Sequence, residues 1–111
     1  MKRVLFTMGV LLLGSVVLFA QKPNKMEVRN LQSFLQQKSA KGDTNADRLE
    51  ISSINSPMTW KGVVWNNGQV QEINWKDKDL AGELNVKGFT ALQKLDCSRN
   101  KISAINVTGC S

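Results

Sequence analysis

The chain has 111 residues, of which 41% are hydrophobic and 22% charged, with a formal net charge of +6. This length allows one small domain with a modest core. It contains no histidine, which excludes Ser-His and Cys-His nucleophile pairs and the usual histidine zinc ligands. Lysines alternate with acidic residues, as in Lys76-Asp77-Lys78-Asp79, instead of forming the basic stripe typical of nucleic-acid binders. We therefore predict no enzyme, no cofactor or metal, and no nucleic-acid partner.

Residues 1–20 have the pattern of a secretory signal peptide. Lys2 and Arg3 are followed by an uncharged apolar stretch that ends at the small residue Ala20. The stretch is slightly shorter than the roughly 20 residues that a membrane-spanning helix needs, and an uncleaved anchor is the alternative. We expect cleavage after Ala20 and a mature protein that is secreted, periplasmic or at the cell surface, without stable membrane insertion.

A helix is predicted from about Lys25 to Lys38. Asn24 can cap it, and Glu27 can accept from the Asn24 backbone N–H in a variant of the capping box. Apolar residues recur at helical spacing on one narrow stripe, which predicts a surface helix covering a core rather than a membrane-binding helix; they are Val28, Leu31, Phe34 and Leu35. Further on, we expect Asp43 to cap a shorter helix.

A β-hairpin is predicted around Asn67-Gly68, because this pair tolerates positive φ at both turn positions. Strand-like runs flank it on both sides, from Thr59 to Trp65 and from Gln69 to Trp75. A two-residue loop would set Trp60 opposite Trp75 and Gly62 opposite Ile73. We expect these tryptophans to face the core.

The remaining sequence repeats itself. Four apolar residues, Val70, Ile73, Trp75 and Leu80, are followed 22 positions later by Leu92, Leu95, Cys97 and Ile102. Three more, Leu84, Val86 and Phe89, are followed 21 positions later by Ile105, Val107 and Cys110. Gly82 is well placed to be the extra residue. This periodicity predicts that Ile73 and Leu95 lie side by side on adjacent parallel strands.

The second copy carries a motif. The segment from Leu92 to Ile102 fits L-x-x-L-x-L-x-x-N-x-L with Cys97 in the third apolar position. It resembles leucine-rich-repeat proteins, and its L-x-C-S-x-N-x-I pattern is similar to that of exported repeat proteins of Bacteroidetes-type bacteria. Met58-x-Trp60-x-Gly62-Val63-x-Trp65 is similar to the plant-type N-terminal cap of that family, with both cysteines replaced.

The resemblance implies an α/β fold: the start of a right-handed leucine-rich-repeat solenoid with an N-terminal helix and β-hairpin cap. Residues 21–69 would form the cap, and 70–111 about two repeats. Because about three repeats are needed for stability, we expect the chain to be an N-terminal fragment. We also expect the Asn100 amide to satisfy turn backbone groups.

The family places its ligand contacts on the concave strand face. Six residues correspond to that face here, and we take them as candidate ligand-binding residues: Glu72, Asn74, Lys76, Lys94, Asp96 and Ser98. Glu72 would face Lys94 in an exposed ion pair worth at most about 1 kcal/mol. An ordinary solvated surface is the alternative interpretation of these residues.

The resemblance therefore implies an exported scaffold that binds a protein partner. The alternative is a carbohydrate-binding surface module that uses exposed tryptophan. Cys97 and Cys110 occupy apolar positions of the repeat, which favours two packed thiols over a disulfide or a nucleophile.

Overall fold

The computed structural model describes residues 22–110, and the predicted signal peptide lies outside them. Within residues 22–110 the chain forms two α-helices, one short 3-10 helix and five strands. The helices are α1 (Lys25–Leu35), α2 (Asn45–Arg48) and the 3-10 helix Pro57–Thr59; the strands are β1 (Val63–Asn66), β2 (Gln69–Asn74), β3 (Ala81–Asn85), β4 (Lys94–Asp96) and β5 (Lys101–Asn106).

The strands form two separate sheets. In the three-stranded sheet the order is β1-β2-β4, with β1 antiparallel and β4 parallel to β2. The other sheet consists of β3 and β5, which run parallel. Ile73 is the Cα partner of Leu95 on adjacent parallel strands, as the periodicity predicts.

Helix α1 confirms the predicted apolar stripe but ends at Leu35, before Lys38. Leu31, Phe34 and Leu35 are fully buried, so the helix covers the core as expected. The ring of Phe34 stacks on that of Trp75 with centroids 5.6 Å apart. Burial of this stripe, rather than intrinsic propensity alone, stabilises so short a helix.

The two predicted helix caps are only partly right. Asn24 Oδ1 accepts a hydrogen bond from the Glu27 N–H at 3.0 Å, but the Glu27 carboxylate accepts from the Val70 N–H at 2.7 Å and not from Asn24. Helix α2 is capped by Thr44, whose side chain and that of Asp47 form a reciprocal capping box. Asp43, the predicted cap, instead pairs with Arg48 at 3.1 Å.

The hairpin turn lies at the predicted position, but its register changes within the strands. Asn67 and Gly68 have φ values of 52° and 77°, and Asn66 pairs with Gln69 and Trp65 with Val70. Beyond them Val64 pairs with Glu72, which leaves Gln71 as the extra residue of a bulge. Ile73 therefore pairs with Val63 and not with Gly62.

The prediction of a leucine-rich-repeat solenoid is wrong. The described chain is a small α/β unit with a mixed arrangement of five strands and, within residues 22–110, no solenoid-like repeat. The two copies of the apolar pattern have different environments: Val86 is fully buried, whereas its equivalent Val107 is 51% exposed. Helix α1 closes the core beside the first copy, so equal spacing in the sequence does not give equivalent layers.

Candidate functional site

The structure brings the six candidate residues together on one side of the three-stranded sheet. Glu72 and Lys94 are Cα partners, as are Asn74 and Asp96. The next residues along the two strands are also adjacent, since the Asp77 N–H donates to the Ser98 carbonyl at 2.9 Å. We call this surface the polar face; it consists of Glu72, Asn74, Lys76, Lys94, Asp96 and Ser98.

Strand alternation explains why these side chains are accessible. Ile73 and Trp75 point into the core and are fully buried, so the residues between and beside them point outward. Glu72 is half-exposed and the other five residues of the polar face are exposed.

The charges of the polar face are mostly not paired with one another. Among the described residues, Glu72 and Lys94 form no ion pair, although their Cα atoms are partners. Asp96 is held more firmly, since the Ser98 hydroxyl and backbone N–H both donate to its Oδ1, at 2.6 and 3.1 Å. These hydrogen bonds, with a smaller contribution from the charge of Lys76, lower the pKa of Asp96. Asp96 is therefore an ionised acceptor of fixed orientation.

Asn100 fixes the turns that follow β2 and β4. Its Oδ1 accepts from the N–H groups of Lys78 and Leu80 at 2.9 and 3.0 Å. Its Nδ2 donates to the carbonyls of Trp75 and Cys97 at 2.7 and 3.0 Å. The predicted role of this amide is confirmed, and it positions the end of the polar face where β2 and β4 finish.

A cavity of about 390 Å³ adjoins the polar face, with Asn74 and Lys76 in its wall. The segments around α2 and β1 supply much of the rest, including Arg48, Glu50 and Lys61. Lys61 Nζ lies 2.8 Å from Glu50 Oε1 in an exposed ion pair. Sequence reasoning missed Arg48 and Lys61, because both come from segments that only the tertiary fold brings to Lys76.

The tryptophans do not form an exposed stacking surface. Trp75 and Trp60 are 0% and 3% exposed, which confirms their predicted core positions. Trp65 is half-buried, packs against Trp60 with centroids 6.3 Å apart, and donates from its indole N–H to the Pro57 carbonyl at 3.1 Å. Met58, which stands where the plant-type cap has its first cysteine, is 59% exposed.

Both cysteines are free thiols, as predicted, although they are half-buried rather than fully packed. Burial raises the pKa of the Cys97 thiol to about 11, with a further contribution from the nearby Asp96 charge. The Cys110 thiol donates to the Val86 carbonyl at 3.2 Å. A thiol with so high a pKa is a poor nucleophile at neutral pH.

Neither a metal cluster nor a membrane-spanning helix is found within residues 22–110. No group of three or more Cys, Asp or Glu residues in this range could hold a metal ion. No helix in this range is long and apolar enough to cross a membrane.

The sequence matches no protein-family model, and no curated protein or solved structure is significantly similar to it. The resemblance to leucine-rich-repeat proteins therefore stays a prediction that depends on the residues of the chain alone.

Proposed function

We propose that the chain is an exported, non-catalytic module that binds a protein partner through the polar face. The observation that carries this proposal is the convergence of six polar side chains, from two adjacent strands and the residues that follow them, on one exposed surface. The Asn100 amide and the Ser98–Asp96 hydrogen bonds give that surface a defined shape. A binding surface whose side chains are held in advance loses less conformational entropy when the partner docks.

The chemistry of the polar face fits a partner of mixed polarity. It presents two carboxylates, two ammonium groups, an amide and a hydroxyl. Glu72 and Lys94 are not joined in an ion pair, so both can form bonds to the partner. Alternating charges of this kind contribute to specificity and to the rate of association more than to affinity. Export rests on residues 1–20, whose pattern is that of a signal peptide.

The carbohydrate-binding alternative has weaker support. Sugar rings are commonly recognised on aromatic faces, but Trp60 and Trp75 are buried and Trp65 is half-buried against Trp60. No specific observation favours it over protein binding.

The proposal is tested by site-specific photo-crosslinking in cells that express the full chain. A photoreactive amino acid at Asn74 or Lys94 samples two strands of the polar face, and the same amino acid at the exposed Ser33 of α1 is the control. We expect one and the same protein to be crosslinked from both face positions and not from Ser33.

The crosslinked partner is then purified and titrated with variants. Asp96→Ala should raise the Kd by about tenfold, since loss of a well-oriented charged contact typically costs about 1.4 kcal/mol or more. Ser33→Ala should leave the Kd unchanged. Equal crosslinking from Ser33 and the face positions, or no protein adduct at all, would contradict the proposal.

A further inference from the structure

One side of the molecule presents apolar side chains next to two unpaired strand edges. β4 is an outer strand of the three-stranded sheet, and in the described part of the chain β5 pairs with β3 alone. Apolar side chains along and just after these strands are incompletely covered, since Leu95 and Ile102 are half-buried, Ile105 is 43% exposed, and Val107, which follows β5, is 51% exposed. We call these four residues, with the outer edges of β4 and β5, the apolar edge.

Such an edge tends to associate. An unpaired strand offers a row of backbone N–H and C=O groups to another strand, and apolar side chains grouped beside it gain free energy when they are covered. The sequence pattern along β4 and β5 indicates what covers them.

We propose that the apolar edge binds a second copy of this chain, with β4 pairing antiparallel to β4 of the partner and β5 lying antiparallel to β5. The dimer is symmetric, so each contact occurs twice. The inference rests on the strand edges and their apolar side chains and does not depend on the proposed function, but it shares Lys94 and Asp96 of β4 with the polar face.

The charges of β4 are self-complementary in this arrangement. The strand reads Lys94-Leu95-Asp96, so antiparallel pairing centred on Leu95 sets Lys94 opposite Asp96 of the partner subunit. Asp96 likewise faces Lys94 of the partner subunit, and the two Leu95 side chains meet on the core side. A shift of two residues would set two lysines or two aspartates opposite each other, which is destabilising. A shift of one would turn Leu95 to the wrong face.

The β5 strand has the same kind of symmetry. It reads Lys101-Ile102-Ser103-Ala104-Ile105-Asn106, so antiparallel pairing centred between Ser103 and Ala104 sets Ile102 against Ile105 of the partner subunit. Ser103 is the extra residue of a bulge, because Ile102 pairs with Gly82 and Ala104 with Glu83. The contact along β5 is therefore carried mainly by isoleucine side chains rather than by a regular ladder.

One two-fold axis can serve both strands. Arg99, with φ of 59°, lies in the turn that joins β4 to β5. Leu95 precedes Arg99 by four positions, and Ser103 and Ala104 follow it by four and five. The two pairing centres therefore lie at about the same distance from the turn, so a single axis running from one strand to the other passes near both.

Sedimentation equilibrium on the full chain, in the form in which the expressing cell processes it, tests this proposal. We expect a dimer at about 100 µM, a concentration at which even a weak specific pair is populated. Lys94→Asp and Asp96→Lys each set like charges opposite each other twice per dimer, and each should weaken dimerisation by about tenfold or more. The double variant Lys94→Asp/Asp96→Lys restores opposite charges and should dimerise again.

A second pair of variants tests whether dimerisation depends on the apolar edge or on exposed apolar side chains in general. Ile105→Asp should give a monomer, whereas Met58→Asp changes a side chain of similar exposure elsewhere and should leave the dimer intact. Circular dichroism checks that each variant is folded, and Ile105→Ser replaces Ile105→Asp if the latter is unfolded.

Four outcomes overturn the proposal. They are a monomeric wild type, a species larger than a dimer, a double variant that stays monomeric, and a dimer that survives Ile105→Asp. A monomer that binds extended peptides along β4 would overturn it too, since another protein would then occupy the edge.

Discussion

At the scale of single residues, Glu27 combines a carboxylate with complete burial. Its Oε1 accepts from the Val70 N–H at 2.7 Å, while its Oε2 has no hydrogen-bond partner among the described groups. Burial raises the pKa of this carboxyl above its ordinary value of 4.5, and the hydrogen bond from Val70 only partly opposes that effect. Glu27 thus joins α1 to β2 through a poorly solvated charge.

The raised pKa makes the stability of the protein depend on pH. A carboxyl whose pKa is higher in the folded state than in the unfolded state stabilises the fold fully below pH 4.5, and this contribution is lost as the pH rises through the folded-state pKa. Glu27→Gln removes this titration. We expect the variant to be more stable than the wild type at pH 7 by about 1 kcal/mol, and the difference to shrink at about pH 4.

Urea unfolding at the two pH values measures the difference, and Glu83→Gln, at an exposed position of β3, is the control. A Glu27→Gln variant that is less stable than the wild type at pH 7 would show that the ionised carboxylate stabilises the fold.

At the scale of elements, the passage of the chain over Trp75 depends on Gly62. This glycine has φ of 85°, and its carbonyl accepts from the Asn74 N–H at 2.7 Å. A Cβ atom there would lie 2.6 Å from Trp75 Cδ1 and would also contact the Asn74 carbonyl oxygen. The indole of Trp75 cannot move away easily, since its N–H donates to the Lys61 carbonyl at 2.8 Å.

Gly62→Ala should therefore destabilise the protein by about 3 kcal/mol or more, from backbone strain and from steric overlap together. Gly42→Ala is a matched control, because Gly42 has φ of 94° and an added Cβ there would have no atom within 4 Å. It should cost only about 1 kcal/mol, the strain alone. Thermal unfolding of both variants makes the comparison, and equal losses would mean that the close approach to Trp75 is unimportant.

The elements also show where sequence reasoning succeeded. The stripe of α1, the Asn67-Gly68 turn and the parallel placement of Ile73 beside Leu95 were all predictable. The stripe and the turn follow from side-chain period and turn chemistry within a short stretch, where local preferences are strong. The placement of Ile73 beside Leu95 follows from the apolar pattern that recurs after 22 residues. The bulge at Gln71 was not predictable, because it depends on how β2 fits between β1 and β4.

At the scale of the whole molecule, the helix and the sheets share one core. Phe34 of α1 stacks on Trp75, which follows β2, and both are fully buried. Asn45 of α2 is also fully buried, and its amide joins the Phe34 carbonyl to the Ala81 carbonyl, each at 2.8 Å. These contacts predict that α1 and the sheets unfold together.

Phe34→Ala tests that cooperativity. We expect the variant to lose about 3–5 kcal/mol of stability, as loss of a buried phenylalanine usually causes. The unfolding midpoint followed by helical circular dichroism and the one followed by tryptophan fluorescence should fall equally. Ser33→Ala, on the exposed side of the same helix, should change neither. Separate transitions for the two signals would show that α1 folds independently of the sheets.

By itself, the sequence determined the inward and outward alternation of the strands and the hairpin turn, because these depend on a period of two and on turn residues. Only the tertiary structure decided that Glu27 bonds to Val70, that Arg48 and Lys61 reach the cavity beside Lys76, and that the repeated pattern does not form a solenoid. Each of these outcomes depends on contacts between segments far apart in the chain. Spacing along the sequence carries no information about which element covers a given apolar residue.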